Sequence, residues 1–467
     1  MKSNIWFCFK FGGSDEKSWP QGLAIVISSL AAFNCGLQLS WSSPFLSKIS
    51  KDPRYGISEE EASYFSVIEP ATMTITCTLF SILSDTIGRK KTLLIVAIPQ
   101  LLSWILIATA ESVYLFYASR MFAGIADGGM FITLPVYIGE VSSPKVRGTW
   151  GNSLLMGLLL GEFSIILMGK YMGVQETAFV GIVLVLVFLI LFSLMPESPY
   201  LCLMRKRDDD AKQALCFLKC KRDVETDFSS LKSDVQRQME EQGAWKNLFM
   251  IASNRKALIA GIFLRVSQPL GGTLTFVMNP EFIFEKAGVN VNSSLASVIF
   301  LAISCFVNFL VVLFSIEKFS RKTIYTISSL FSGIVLVLLA IYFFITEYIK
   351  EWNISLPWIP IAGLAIYEVV CSLGMMVIPT LMLGELFSAS IKSKGMTVLI
   401  VAFGLGVFLA NYILFALTRL VGIFGPFLFY GTCCIFTSVF SFQLIPETKG
   451  KTLEEIQQSL KGKTIQK

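Results

Sequence analysis

The sequence predicts an all-α membrane protein: twelve transmembrane helices in two six-helix halves, with a cytoplasmic helical linker between them. Three observations carry this. Of 467 residues, 54% are hydrophobic and 15% charged, with a mean hydropathy of +0.65, whereas a soluble domain carries about 25% charge. Apolar stretches recur at about 20 residues, the length that crosses roughly 30 Å of hydrocarbon, and a helix satisfies its own backbone groups in lipid. Finally, a set of charged motifs occurs twice, at corresponding places in two hydrophobic halves.

The apolar pattern places spans at about 20–42, 62–83, 92–110, 113–138, 149–169, 176–195, 257–280, 294–315, 323–346, 357–383, 396–418 and 424–445. Residues Met1–Trp19 are polar and mixed, so the first span reads as an uncleaved anchor rather than a signal peptide. An even number of spans puts both termini on one side. With the termini inside, 30 of the 39 Lys and Arg fall in inner segments and 7 in outer loops, while Arg120 and Arg265 lie within spans. That bias makes the termini cytoplasmic. It also accounts for the net charge of +6 without a nucleic-acid partner; the partner implied is the lipid bilayer. Two acceptor sequons, at Asn292 and Asn353, fall in loops assigned outside and are the candidate glycosylation sites. None of the ten cysteines lies in an outer loop, which argues against a disulfide framework. Cys216 and Cys220 lack further ligands, so no metal and no cofactor is expected.

These spans divide the chain into an N-terminal half (1–196), a cytoplasmic linker (197–256), a C-terminal half (257–446) and a cytoplasmic tail (447–467). The linker carries Arg205-Lys206-Arg207-Asp208-Asp209-Asp210 and a helical stretch to about Gln242. It reads either as solvated surface helices or as a bundle that docks on both halves.

The repeated motifs are specific. Asp85-Thr86-Ile87-Gly88-Arg89-Lys90 is echoed by Glu317-Lys318-Phe319-Ser320-Arg321-Lys322. The run from Glu140 to Arg147 is echoed by Glu385 to Lys392, and Pro196-Glu197 by Pro446-Glu447. The offsets are 232, 245 and 250 residues, and the acid-to-base spacing is kept within each pair. A duplicated bundle whose halves carry matching ionic closures is the layout of an alternating-access transporter. We therefore assign Asp85, Arg89, Glu140, Arg147 and Glu197 to one gating latch, and Glu317, Arg321, Glu385, Lys392 and Glu447 to its counterpart. Gly124 and Gly128, beside Ala123 and Gly129, form a small-residue face that lets another helix approach.

The motifs resemble the sugar porter family of the major facilitator superfamily along nearly the whole chain. Pro135-x-Tyr137-x-x-Glu140 through Arg147-Gly148, Pro196-Glu197-Ser198-Pro199 and Pro446-Glu447-Thr448-Lys449-Gly450 carry the likeness. Arg120-x-x-x-Gly124-x-x-x-Gly128 and Ile283-Phe284-Glu285-Lys286-Ala287-Gly288 agree with it. Gly36-x-x-x-Ser40-Trp41-Ser42-Ser43-Pro44 is similar to an insect branch of facilitated trehalose transporter-like proteins. By resemblance, Gln268 is at the position of a substrate-binding glutamine, with Gln38 and Asn411 near two further polar positions. Pro379 and Thr380 align with the family's span-ten proline and tryptophan. Pro269, Gly271 and Gly272 fit a broken helix lining a cavity.

The central site departs from the family pattern. Leu155, Pro269 and Thr380 stand where the family has glutamine, glutamine and tryptophan, while Glu69, Asp127, Glu162, Arg265 and Glu368 bring charge into or near the spans. Those charges are either functional or paired with one another, with Arg120 and Arg265 as the candidate cations. The resemblance implies a uniporter for a sugar such as trehalose or a hexose, most simply in the plasma membrane. The alternatives are a non-transporting sugar sensor and a proton-coupled symporter. With no histidine, no metal cluster and no phosphate-cradling loop, nothing points to an enzyme. The oligomeric state is not encoded in these features.

Overall fold

A computed structural model describes residues 17–143, 146, 150, 153–240, 245–288, 293–313, 320–348, 356, 358–387 and 391–447, with 238, 240, 312, 313, 383–385, 392 and 393 described by their backbone alone. The described residues are almost entirely helical, and twelve helices are long and apolar enough to cross a membrane. They are Trp19–Lys51, Glu59–Ile87, Arg89–Thr109, Val113–Val141, Ser153–Tyr171, Val174–Ser193, Ala252–Met278, Ser293–Val311, Arg321–Tyr348, Trp358–Met382, Lys394–Val421 and Phe424–Leu444. We refer to them as spans one to twelve.

The largest departure from the apolar pattern is span one. It bends after Leu39 and resumes as Ser42–Lys51, although this stretch is too polar for lipid. Its Phe45, Leu46 and Ile49 are buried while Lys48 and Lys51 fall in its last turn. Trp41 is fully buried and packs on Phe45 and Phe65, with ring centroids 5.3 and 6.2 Å apart. Protein contacts, not lipid, hold this segment helical.

The described chain falls into two compact units: Met1–Gln38, Thr72–Gly161 and Gly173–Gln242 in one, and Leu39–Ala71, Glu162–Met172 and Gly243–Lys467 in the other. In the first unit, span three packs against spans four and six. Trp104 of span three is fully buried, and a Cβ on Gly181 of span six would lie 2.4 Å from its ring. A Cβ on Gly128 would lie 2.4 Å from Thr76 Oγ1 and 2.9 Å from the Met73 carbonyl, so the small-residue face does admit span two. The linker forms helices Pro199–Met204, Asp208–Lys219 and Glu225–Glu240. They share an apolar core that includes Cys202, Leu215, Val224 and Phe228. These three helices thus form one small folded cluster.

In the second unit, spans nine and twelve pack together, as do spans seven and eleven. Spans seven and ten of this unit are broken near their middles. Span seven stops at Leu270, turns at Gly271-Gly272 with Gly272 at φ +88°, and resumes as Thr273–Met278. That left-handed conformation suits glycine. Span ten stops at Leu373 and resumes at Ile378. Carbonyls freed by such breaks need partners inside the protein. Tyr367 donates its hydroxyl to the Gly271 carbonyl at 2.7 Å, and Thr273 donates to the Gln268 carbonyl at 3.0 Å. Ser328 donates to the Val370 carbonyl at 2.6 Å and accepts from the Met375 amide at 3.2 Å.

Replacing Tyr367 with Phe leaves the Gly271 carbonyl without this donor in a buried site. The expected cost is about 1 kcal/mol, seen as a lower melting temperature of the detergent-solubilised protein with unchanged helicity.

Candidate functional site

The chemistry-bearing residues gather at three places: a helix-end cluster in the first unit, and two clusters at and within the second.

In the first unit Arg89 is 5% exposed and sits between two acids. Its guanidinium lies 3.2 Å from Asp85 and 3.1 Å from Glu140, and it donates to the Ser84 carbonyl at 3.1 Å. Each buried charge therefore has a partner, as burial requires. Glu197 does a different job. Its carboxylate accepts from the backbone N–H of Lys90 at 3.0 Å and of Ser198 at 3.0 Å, so it caps the amino terminus of span three, where free N–H groups and the helix dipole favour an anion. Gly88 makes room for it: its φ is +116°, and a Cβ there would lie 2.4 Å from Glu197 Oε2. Tyr137 fixes the approach by donating to the Pro196 carbonyl at 2.9 Å. Arg205 of the linker ties in by donating to the carbonyls of Asp85, Thr86 and Ile87.

The same carboxylate device recurs in the second unit. Glu447 accepts from the backbone N–H of Arg321 at 3.2 Å and of Lys322 at 3.4 Å, and from the Ser320 hydroxyl. Ser320 stands where the first copy has Gly88, and it joins the cap. The structure therefore brings Asp85, Arg89, Glu140 and Glu197 together, and Glu447 with the start of Arg321–Tyr348. Arg147, Glu317, Asn292 and Asn353 lie outside the described residues, as do the side chains of Glu385 and Lys392.

The second cluster surrounds Gln268 at the break of span seven. Gln268 donates Nε2 to the Met376 carbonyl at 3.1 Å, within the break of span ten, and accepts at Oε1 from Arg265 Nη1 at 3.2 Å. The same Nη1 reaches Thr380 Oγ1 at 3.5 Å, and the guanidinium lies over the Phe403 ring at 4.8 Å. Gln268, Arg265 and Thr380, which follows Pro379 in the resumed helix, are therefore neighbours. Asn411 belongs elsewhere in this unit: it accepts from Asn279 Nδ2 at 2.8 Å, and Asn279 accepts from Ser66 at 2.9 Å. Gln38 belongs to the first unit, where it donates to the Gln100 carbonyl at 3.2 Å while its own carbonyl accepts from Arg120 at 2.8 Å. Among the intramembrane acids, Glu368 is fully buried and accepts from Ser304 at 2.7 Å, Asn308 at 3.3 Å and Ser372 at 3.4 Å.

The third cluster has no counterpart in the sequence reading. At the end of the second unit away from Arg321 and Glu447, Lys51 pairs with Glu285 at 2.5 Å, Lys286 with Glu59 at 2.6 Å and Arg419 with Glu60 at 2.5 Å. All three pairs are partly exposed, so each is worth less than about 1 kcal/mol and is weakened by salt. Acids and bases more than two hundred residues apart give no local spacing that could have revealed them. Beside them Glu281 is 7% exposed; it accepts from Ser294, and its Oε2 has no hydrogen-bond partner among the described residues. Burial pushes its carboxyl above the ordinary range, Ser294 and Lys48 opposing and Glu285 adding to the rise.

Three comparisons bear on identity. The family model described as "Sugar (and other) transporter" matches residues 23–460. The chain is 30% identical to the facilitated trehalose transporter Tret1 of Polypedilum vanderplanki over 455 residues, covering 95% of this chain and 89% of that protein. It is likewise 30% identical to Tret1 of Aedes aegypti over 455 residues, where the chain spans only 56% of the relative's length. In fold it is similar to the proton:xylose symporter XylE bound to 6-bromo-6-deoxy-D-glucose, with a TM-score of 0.75 at 17% identity, covering 95% of this chain and 99% of that one.

Two outcomes test the geometry. Arg89→Ala would strand Glu140 in a buried site and should cost about 3 kcal/mol, read as thermal stability, with Arg89→Lys costing less. Glu281→Gln should stabilise the protein at pH 8 and not at pH 4. A carboxyl whose folded titration is raised stabilises below its unfolded range, and that contribution is lost as pH rises through the folded value. An equal shift of melting temperature at both pH values would contradict this. On the family match along its length, this chain belongs to the sugar (and other) transporter family.

Proposed function

We propose that the chain is a facilitative transporter of a sugar such as trehalose or a hexose, moving it down its gradient by alternating access. The observation that carries this reading is the repeated carboxylate cap. Glu197 holds the start of span three and Glu447 the start of span nine by the same backbone contacts. A transporter that opens to two sides in turn needs closures that form and break at matching points of two halves. In this reading residues 1–196 and 257–446 are the halves, 197–256 is the linker and 447–467 the tail. The latch comprises Asp85, Arg89, Glu140, Arg147 and Glu197 with Glu317, Arg321, Glu385, Lys392 and Glu447. The bias of basic residues supports cytoplasmic termini, and the plasma membrane is the membrane we propose.

Gln268, Gln38, Asn411, Pro379 and Thr380 are the proposed substrate positions. Each end of the Gln268 amide already holds one hydrogen bond, so a bound sugar meets only its second N–H and second lone pair unless it displaces a partner. That commitment favours a second reading, a sensor that keeps the conformational switch without translocation.

Radiolabelled uptake in a transporter-null cell decides between the two, using trehalose, glucose, fructose and a polyol with and without a proton gradient. Saturable uptake indifferent to the gradient is the expected result. Absence of uptake from protein verified at the surface would favour the sensor, and uptake that collapses with the gradient would favour symport. The paired substitution of Arg147→Ala with Lys392→Ala should depress uptake without reducing surface expression.

A further inference from the structure

Arg265 is a cation in the middle of a membrane span. It is 8% exposed, and no carboxylate pairs with it among the described residues. Taking a guanidinium out of water costs several kcal/mol unless an anion or a full set of acceptors compensates. What surrounds Arg265 compensates only in part. Both its hydrogen bonds leave from one nitrogen, Nη1, to the neutral acceptors Gln268 Oε1 and Thr380 Oγ1. The Phe403 ring offers its negative face at 4.8 Å. Nε is buried and makes no hydrogen bond among the described residues. The edge of the fork that includes Nε therefore keeps an unused donor, and such an edge is the one that pairs with a carboxylate bidentately.

The neighbouring residues fit an anion better than a neutral sugar. The Gln268 amide holds one hydrogen bond at each end, to Arg265 and to the Met376 carbonyl, which leaves one N–H and one lone pair for a hydroxyl. Thr380 offers one hydroxyl at a position already within reach of Arg265. The group whose charge is uncompensated among the described residues is the guanidinium itself.

We propose that Arg265 receives an anionic group of the solute, so that this site takes a hydroxyl-rich carboxylate of the sugar-acid class in preference to a neutral sugar. The inference rests on the reading of this cluster as the substrate site and narrows its substrate class. The opposing reading is a brace, in which Arg265 merely ties span seven to Thr380.

Equilibrium binding to the purified full-length protein separates them, with D-glucuronate and its uncharged analogue D-glucuronamide as probes. The wild type should bind glucuronate about tenfold or more tightly than glucuronamide, as a charge-assisted contact predicts. Arg265→Gln should bring the two probes within about twofold of each other, and Arg265→Lys should keep part of the preference. Equal binding of both probes by the wild type, or failure to bind either, would overturn the proposal without any variant having to fold. A preference retained in Arg265→Gln would overturn it too. Uptake into proteoliposomes is scored separately. Glucuronate preference without uptake of any solute would remove the transport reading and leave this one; saturable uptake of neutral sugars with no glucuronate preference would do the reverse.

Discussion

A backbone carbonyl inside hydrocarbon has no water to turn to, and the centre of the second unit is organised around that constraint. Spans seven and ten each break, at Gly271-Gly272 and between Leu373 and Ile378. Every broken turn frees carbonyls that would cost several kcal/mol unsatisfied. Tyr367, Thr273 and Ser328 answer carbonyls at or beside the breaks, and Gln268 answers the Met376 carbonyl. Gln268, which we propose as a substrate position, is thereby also a structural strut. Arg265 stands on this arrangement, since its main acceptor is the Gln268 oxygen.

A second constraint acts at the ends of spans three and nine. The first N–H groups of a helix are unsatisfied, and the dipole there favours negative charge. Glu197 and Glu447 meet both needs with one side chain each. Because the contact is to backbone N–H groups, it does not depend on which basic residues follow. The ionic pairs beside it are specific instead: Arg89 must reach Asp85 and Glu140 together, and it does so from a buried position. The latch we propose combines a general helix cap with a residue-specific bridge, and the two can be weakened separately.

The intramembrane charges do not share one fate. Glu368 is surrounded by hydroxyl and amide donors from Ser304, Asn308 and Ser372, a neutral cradle rather than an ion pair. Arg120 takes the Gln38 carbonyl at the end of the first unit's opening helix. Arg265 binds neutral acceptors and an aromatic face. The simple expectation that acids and bases within the spans pair with one another therefore does not describe Arg265.

Much of the architecture was legible in the chain itself. Length and hydropathy sufficed for twelve spans because lipid imposes one length and one secondary structure. The three repeated motifs singled out Arg89, Glu140, Glu197 and Glu447, since the same charged residue types recur at matching places along the two halves of the sequence. Pro269, Gly271 and Gly272 announced the break in span seven, because glycine tolerates the left-handed turn and proline donates no hydrogen bond. What only the tertiary structure decided was partnership across distance. That Glu197 binds backbone N–H groups, that Gln268 holds a partner at each end of its amide, that Asn411 joins Asn279, and that Lys51, Lys286 and Arg419 find acids far along the chain all depend on how helices meet. Sequence spacing reports which residues share a face of one helix; only packing reports what that face touches.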